Sequence, residues 1–240
     1  MYTLDDLSIN NNSFHIISIV LMAVIFFSAF KNGKPTCDRY LLNSFLYLLL
    51  ISSIFFSSMK VQKDYNIELP NNIMNIMIVF IILVGLIFGL YYVKNPIYQH
   101  LIIIAIIFLL ALISKKYEKY DREYVEEIMK KLMIITCICG IIGVFFGKYL
   151  KPEMEMILVY ALLITIIFSI IDTMILKSKN KDMINYISIF IFSGFIMYDT
   201  KRLLKNSKIC KEGNADYIMG MFDMFLNLLN TFQSLAELGE

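Results

Sequence analysis

Eight long apolar stretches are the feature that most limits what this chain can fold into. Separated by polar connectors, they run Phe14–Phe30, Tyr40–Met59, Ile73–Val93, Ile97–Ile113, Leu132–Phe146, Met154–Leu176, Met183–Tyr198 and Tyr217–Leu235. A helix needs roughly 20 apolar residues to cross the hydrocarbon layer of a bilayer, so these stretches qualify or nearly qualify as spans. Helices also satisfy their own backbone hydrogen bonds in lipid. The pattern therefore predicts an all-α fold, a polytopic membrane helical bundle.

Composition excludes the main soluble alternatives. Hydrophobic residues make up 58% of the 240 residues and charged residues 18%, whereas soluble domains average ~45–50% and ~25%. A single soluble core of this size has too little interior for so many apolar side chains. The formal net charge is only +2, which provides no basic surface for nucleic acid. We therefore expect the lipid bilayer as the main partner of the chain, and no nucleic acid.

The sequence carries no complete motif for catalysis or for a metal site. His15 and His100 are its two histidines, and its four cysteines do not have the spacing of a zinc site. Tyr198-Asp199 is one half of the intramembrane aspartyl protease signature, but the Gly-x-Gly-Asp of the other half does not occur. We therefore expect no enzymatic activity, no catalytic residues, no bound metal and no cofactor.

The first apolar stretch is predicted to be a retained transmembrane helix. Two aspartates and no positive charge precede it, and no small-residue cleavage site follows, which disfavours the alternative of a secretory signal peptide. Lys31, Lys34 and Arg39 come directly after it, so the positive-inside rule places the acidic N-terminus outside the cytosol. The connectors as a whole hold eleven basic residues on each side. Orientation therefore depends on this first helix.

Pairs of glycines four residues apart occur in two of the stretches. Gly85 and Gly89 lie in the third stretch, and Gly143 and Gly147 lie in or just after the fifth. Such spacing lets helix backbones approach closely in a membrane. We predict general helix packing at these four glycines, with a dedicated dimer face as the alternative.

Ionisable residues within a span are costly and usually face the bundle interior or a watery cavity. Asp199 follows the seventh stretch and precedes Lys201 and Arg202. It is either a boundary aspartate neutralised by these two cations or part of an interior ion path. Asp172, in the sixth stretch, is a secondary candidate for such a path, although an ion pair with Lys177 at the helix end is the favoured interpretation.

A polar stripe runs along the last stretch. Its members recur every three or four residues and so share one face of a helix: Asp216, Gly220, Asp223, Asn227, Asn230, Ser234 and Glu237. The helix either lies flat at the membrane surface, or uses its amides to hold other helices, or lines an ion or proton path. In the third case Asp223, Asn227 and Asn230 join Asp199 as path residues, with Asp216 as a secondary candidate. Two carboxylates sharing one proton would then separate on ionisation, which is a pH-gated closure.

Two segments resemble the transmembrane Bax inhibitor motif family. Phe192-Ser193-Gly194-Phe195-Ile196-Met197-Tyr198-Asp199-Thr200, followed by a basic loop, resembles the family's sixth-helix signature. Met224-Phe225-Leu226-Asn227-Leu228-Leu229-Asn230-Thr231-Phe232 resembles its closing helix, whose usual pattern is Leu-Tyr-Leu-Asp-x-x-Asn-x-Phe. The resemblance implies a seven-helix Bax-inhibitor-like domain over residues 40–240, preceded by an acidic N-terminus and an additional transmembrane helix over residues 1–39.

The resemblance also implies a function and an orientation. We expect a calcium or cation leak across the endoplasmic reticulum or Golgi membrane, a role in calcium homeostasis, and suppression of cell death (apoptosis). Expected partners are apoptosis regulators or calcium-release channels. The N-terminus is expected in the lumen and loop 201–215 in the cytosol. The alternative is a non-conducting membrane protein that modulates apoptosis through its partners.

Members of this family use two aspartates on the last two core helices as a pH-sensing latch of an ion channel. By position, the first latch aspartate is Asp199, whereas the second falls on Asn227. Asparagine does not ionise, although it can hydrogen-bond Asp199. Asp223, one turn away on the same face, is the residue predicted to substitute.

Overall fold

The computed structural model describes residues 13–31, 34–65, 67, 73–93, 95–114, 122–211 and 215–238. Eight α-helices are present in these ranges: α1 Ser13–Ala29, α2 Tyr40–Asp64, α3 Ile73–Tyr92, α4 Pro96–Ile113, α5 Arg122–Phe146, α6 Pro152–Met174, α7 Lys181–Ile209 and α8 Ile218–Glu237. Between α1 and α2, the short strands β1 (Phe30–Lys31) and β2 (Lys34–Pro35) pair antiparallel. The prediction of an all-α membrane bundle is confirmed.

The helices also support placement of the chain in a membrane. Four segments in the described ranges are long and apolar enough to cross a bilayer: Tyr40–Gln62, Glu123–Tyr149, Pro152–Met174 and Lys181–Ile209. Ile16–Ala29, Met77–Tyr92 and Ile97–Ile113 are shorter apolar helices. Large apolar side chains are exposed along α6, such as Ile164 at 67% and Ile157 at 63%, and only lipid covers such a surface favourably. The protein is an integral membrane protein.

Two helices extend beyond their apolar stretches by ten residues or more. α5 begins at Arg122 rather than Leu132, and α7 continues to Ile209 rather than ending at Tyr198. The predicted boundaries followed hydropathy, whereas a helix continues through charged residues when these are good helix formers or pair along one face. In α5, for example, Lys131 and Glu127 form an i,i+4 ion pair of 2.7 Å. As a result, Asp199 lies well inside α7.

The chain forms two compact units, which we describe separately. Unit 1 comprises Met1–Glu118 and Glu212–Ile218, and unit 2 comprises Lys119–Lys211 and Met219–Glu240. The predicted division at residue 39 follows from family resemblance and stays a prediction.

In unit 1, α2 packs against both α1 and α4, while α3 packs against α4. The core between these helices consists of side chains at most 6% exposed: Tyr47, Leu50, Ile51, Phe55, Ile103, Ile106 and Ile107. Polar contacts also join α1 to α2, since Ser18 and Ser53 lie 2.9 Å apart and Ser28 donates to Asn43 Oδ1 at 2.5 Å. The extra helix α1 is thus integrated into this unit.

In unit 2, α7 is the central helix and packs against α5 and α6. Gly143 of α5 lies so close to α7 that a Cβ there would be 2.7 Å from the Met197 carbonyl oxygen and 2.8 Å from Thr200 Cβ. At Gly147 a Cβ would lie 3.3 Å from Lys201 Cγ. The predicted close approach is therefore present at both positions.

The same prediction is wrong for Gly85 and Gly89 in α3. A Cβ at either glycine would meet no atom within 4 Å in the part of the chain that the structure describes. In unit 1, α3 packs against α4, and the space that a Cβ at either glycine would enter is open. A dimer face at these positions is not tested.

Candidate functional site

The central helix α7 carries the key carboxylate on its buried side. Asp199 is 8% exposed and lies among the buried residues Ile196, Tyr198 and Leu203 of the same helix. Arg202 is three residues further along, so helical periodicity places it on the same side of α7. The arrangement follows from local sequence: an apolar stripe buries this face of α7 and takes Asp199 into the interior with it.

Two hydrogen bonds join Asp199 and Arg202 of α7 to α8, and a third joins these two residues within α7. Asp199 Oδ1 accepts from Arg202 Nη2 at 2.7 Å, and Asp199 Oδ2 accepts from Asn227 Nδ2 at 2.7 Å. The same Arg202 Nη2 also donates to Asp223 Oδ2 at 2.8 Å. We refer to Asp199, Arg202, Asp223 and Asn227 as the α7–α8 polar cluster. It brings together three of the four residues predicted for the ion path and adds Arg202.

The polar cluster contains one positive charge to balance two negative charges. One guanidinium lies between two carboxylates, and the side chains are 9% exposed for Asp199, 26% for Asp223 and 43% for Arg202. A buried carboxylate is costly unless it is paired and hydrogen-bonded, and both oxygens of Asp199 have a donor. Glu155 of α6 adds further negative charge to the surroundings of Asp199. Arg202 is thus the cation of the cluster that offsets this negative charge.

The two cations that follow Asp199 have different roles. Arg202 pairs with Asp199, whereas Lys201 Nζ donates to the carbonyl of Leu150 in the turn between α5 and α6. Tyr198 OH donates to the neighbouring carbonyl of Lys151. The interpretation of Asp199 as a boundary aspartate neutralised by both cations is therefore wrong for Lys201. These contacts also attach α7 to the α5–α6 turn, which fixes the position of the carboxylate.

The polar stripe of α8 divides into parts with different contacts. Asp223 and Asn227 bond to α7, while Asn230 Nδ2 donates to Leu226 O in its own helix at 2.8 Å. Asp216 precedes α8, and its carbonyl oxygen accepts from Tyr40 OH at 2.9 Å within unit 1. The amide of Asn227 and the carboxylate of Asp223, which bond to α7, favour the interpretation of helix-to-helix contact over that of a helix lying flat with its stripe in water.

Asp172 lies outside the polar cluster and closes a turn. It is 1% exposed, and its carboxylate accepts from the Asn180 backbone N–H at 3.1 and 3.2 Å and from Asn180 Nδ2 at 2.7 Å. The predicted ion pair with Lys177 is wrong: Lys177 and Ser178 have φ of 55° and 60°, and in the turn they form it is Asn180 that meets the carboxylate. Asp172 therefore stabilises the α6–α7 turn.

Arg202 as a bridge to α8 was missed by sequence reasoning. Its pairing with Asp199 was visible, because the two residues are three apart on a helix. Its second bond, to Asp223, depends on how α8 is rotated about its axis. Local spacing contains no information about that rotation.

No metal site is evident in the described part of the chain. The residues searched contain no group of three or more His, Cys, Asp or Glu side chains arranged to hold a metal ion. The polar cluster itself presents two carboxylates, and a guanidinium already lies between them.

Part of the chain matches a family of known proteins. Residues 152–238 match the family model described as inhibitor of apoptosis-promoting Bax1. This part of the chain is similar to the Bax inhibitors. The matched region contains α6, α7 and α8, and with them the whole polar cluster. The predicted resemblance is confirmed over these residues.

Two relatives are similar to this chain over shorter segments. An uncharacterized membrane protein of Vibrio cholerae is 31% identical over 77 residues, which is 32% of this chain and 32% of that protein. Bax inhibitor 1 of Drosophila melanogaster is 32% identical over 50 residues, or 21% of this chain and 19% of that protein. The similarity to these relatives thus spans about a third of their length or less.

Proposed function

We propose that this protein suppresses cell death as a Bax-inhibitor-type protein of an internal membrane, where it lets Ca²⁺ or another cation leak under control of the α7–α8 polar cluster. The observation that carries the proposal is the pair of bonds on Asp199: one oxygen meets Arg202 and the other meets Asn227 of α8. A contact of this kind between two helices acts as a latch, because separating them leaves the buried charge of Asp199 without one of its two partners.

The chemistry of this latch differs from that of two aspartates sharing a proton. Asn227 does not ionise, and Arg202 keeps its charge at all physiological pH values. Ionised Asp199 and Asp223 are therefore held together by the guanidinium between them, with Glu155 as a further negative group nearby. Protonation converts a carboxylate into a weaker acceptor of Arg202. We propose that acid loosens this latch, whereas ionisation loosens a latch of two aspartates.

Ca²⁺ flux into dye-loaded liposomes containing the purified protein tests the proposal. The variants are Asp199→Asn and Asn227→Asp, and the matched control is Asp172→Asn, which alters a second buried aspartate of the same unit. We expect Asp199→Asn to change the flux several-fold, and Asn227→Asp to reverse the pH response, because two facing carboxylates repel as pH rises. Flux equal to that of empty liposomes, or equal in all variants, contradicts the proposal.

A non-conducting protein that modulates apoptosis through partners is the second candidate. It is favoured by the permanent charge of Arg202 and by the non-ionising Asn227, which together keep the α7–α8 contact closed. Under this alternative, cells are protected from death by a protein that gives no flux in liposomes. Apoptosis regulators or calcium-release channels are the partners we propose for it, and crosslinking in cells followed by identification of the bound protein tests them.

We further propose that the membrane is that of the endoplasmic reticulum or Golgi, with the N-terminus in the lumen and loop 201–215 in the cytosol. The charges that flank α1 support this orientation. Glycosylation acceptor sites inserted at the N-terminus and in the loop test it, since only luminal sites are modified. We propose no enzymatic activity, because the side chains bonded to Asp199 are a guanidinium and an amide rather than the second carboxylate of an aspartyl protease.

A further inference from the structure

Unit 1 contains a groove that is independent of the polar cluster. α1 and α4 pack against α2, and the space that remains between them has a volume of about 290 Å³. Its walls are mostly apolar and include Ile19 and Met22 of α1, Ile54 of α2, and Ile104 and Phe108 of α4. Three serines also line it: Ser18, Ser57 and Ser58. Because this unit lies in a membrane, a groove with these walls is filled by lipid rather than by water.

One serine that lines the groove has no hydrogen bond in the described part of the chain, and a buried glutamine oxygen without a partner lies one helical turn beyond it. Ser58 lines it and is 9% exposed, and its hydroxyl forms no hydrogen bond within the described part of the chain. One turn further along α2, Gln62 is 1% exposed, and its Oε1 has no partner there either, while its Nε2 donates to Phe108 O at 2.9 Å. A buried polar atom without a partner, such as Gln62 Oε1, is rare in native proteins. Ser58 faces the groove, so its hydroxyl is open to a hydrogen bond from a ligand there.

The charged residues near Ser58 and Gln62 indicate how deep these two side chains lie in the membrane. Lys60 follows Ser58 by two residues, and α2 ends at Asp64, so this end of the helix lies at the edge of the hydrocarbon layer. Ile54 precedes Ser58 by about 6 Å along the helix axis and is therefore deeper. A ligand of the groove consequently has its polar group at the membrane surface and its apolar body towards the bilayer centre.

We propose that the groove binds the hydroxyl end of a sterol. A single hydroxyl both donates and accepts, and so it can pair with Ser58, while a rigid ring system packs against the branched side chains and Phe108. A rigid body also loses less conformational entropy on binding than flexible acyl chains do. Ligand pockets range from about 300 to 1,000 Å³, so the groove holds this end of the molecule and the remainder stays in the bilayer. The charged head group of a phospholipid has no countercharge among the groove residues.

Photolabelling tests the sterol site in the full-length protein. The protein is reconstituted in phosphatidylcholine vesicles with a photoactivatable cholesterol analogue, and the labelled peptides are identified by mass spectrometry. We expect labelling in α2 near Ser58 or in α4 near Phe108, with competition by unlabelled cholesterol. Ser58→Ala should weaken the competition roughly five- to tenfold, which corresponds to one hydrogen bond. Ile54→Trp, which fills the groove, should abolish the labelling.

Ser52→Ala is the matched control, because Ser52 lies on the same helix, donates to Leu48 O and does not line the groove. Thermal unfolding of each variant separates loss of binding from loss of fold. Labelling outside the groove, equal competition by diacylglycerol, or the same competition in Ser58→Ala and Ser52→Ala would each overturn the proposal. Because the readout is sterol binding, its failure is distinguishable from an absence of Ca²⁺ flux.

Discussion

Unit 2 buries two aspartates, Asp172 and Asp199, and each bonds to an asparagine side chain at 2.7 Å. They differ in how far along the chain that partner lies. Asp172 meets Asn180, eight residues away, across the α6–α7 turn, whereas Asp199 meets Asn227, 28 residues away, on a different helix. Asp199 also has a cation beside it, and Asp172 is satisfied by a backbone N–H instead.

The difference teaches which buried charge can act as a switch. When a buried carboxylate caps a turn, its hydrogen bonds form and break together with that turn. Such a carboxylate therefore contributes to stability alone. A carboxylate bonded across two helices couples their positions, and breaking its bonds permits relative movement without unfolding either helix. Similar burial therefore does not imply a similar role.

Removal of the local carboxylate should have the largest effect on stability. Asp172→Ala leaves the Asn180 N–H and amide without their acceptor in a buried turn, which should lower the free energy of unfolding by about 3 kcal/mol. Thermal unfolding in detergent measures this, and Asp172→Asn, which keeps one acceptor oxygen, should lose less. Ca²⁺ flux by the folded fraction should be unchanged. A changed flux would mean that the comparison between the two aspartates is wrong.

A methyl group between α5 and α7 should have the next largest effect. Gly143→Ala forces a contact with the Met197 carbonyl and Thr200 beside Asp199, so it should destabilise the protein by about 2 kcal/mol and alter the flux. The control Gly85→Ala, at a position with open space, should be neutral or stabilising by up to about 1 kcal/mol, because alanine favours helix. Equal unfolding temperatures of the two variants would show that α5 does not fix the position of α7.

Loss of the long-range amide should have a smaller effect on stability and a larger effect on function. Asn227→Leu removes one hydrogen bond to a charged group, which should cost about 1.5 kcal/mol, and it should increase the flux if the latch holds the closed state. Asn230→Leu is the control, since Asn230 bonds only within α8. Increased flux in both variants, measured in the same liposomes, would point to general loosening of α8.

Arg202→Lys should have the smallest effect on stability. Arg202 is 43% exposed, and ion pairs at such positions contribute at most about 1 kcal/mol. Lysine keeps the charge but not the planar donor geometry that lets arginine meet two carboxylates. We expect an unfolding temperature within a few degrees of the original and a greater sensitivity of the flux to salt. Unchanged salt dependence would mean that the bridge to Asp223 has no role in the latch.

The helices themselves could be predicted because hydropathy is a local property. The stretch Ile73–Val93 corresponds to α3, which ends one residue earlier at Tyr92, and Ile97–Ile113 corresponds to α4, which starts one residue earlier at Pro96. The prediction failed where a helix leaves the apolar run, as α5 and α7 do. It failed because helix formation continues through charged residues, whereas hydropathy registers them as an end.

Candidate residues of the site could also be found from spacing, but their partners could not. The polar stripe predicted Asp223 and Asn227, and the resemblance predicted Asp199. The same reasoning paired Asp172 with Lys177, because nearness in sequence favours that ion pair. The turn instead gives Lys177 and Ser178 positive φ values, and Asn180 is the residue that reaches the carboxylate.

The amino-acid sequence by itself determined that this protein is a membrane bundle of helices and that a few ionisable residues enter it. Both are consequences of side-chain chemistry along a one-dimensional chain. Only the tertiary structure decided that Arg202 lies between two carboxylates. It also decided that a Cβ at Gly143 would contact a neighbouring helix, whereas one at Gly85 would meet no atom within 4 Å among the described residues. The groove beside α1, lined in part by Ser58, likewise depends on the tertiary structure. These depend on the rotation and spacing of helices, which are set by all their packed side chains at once.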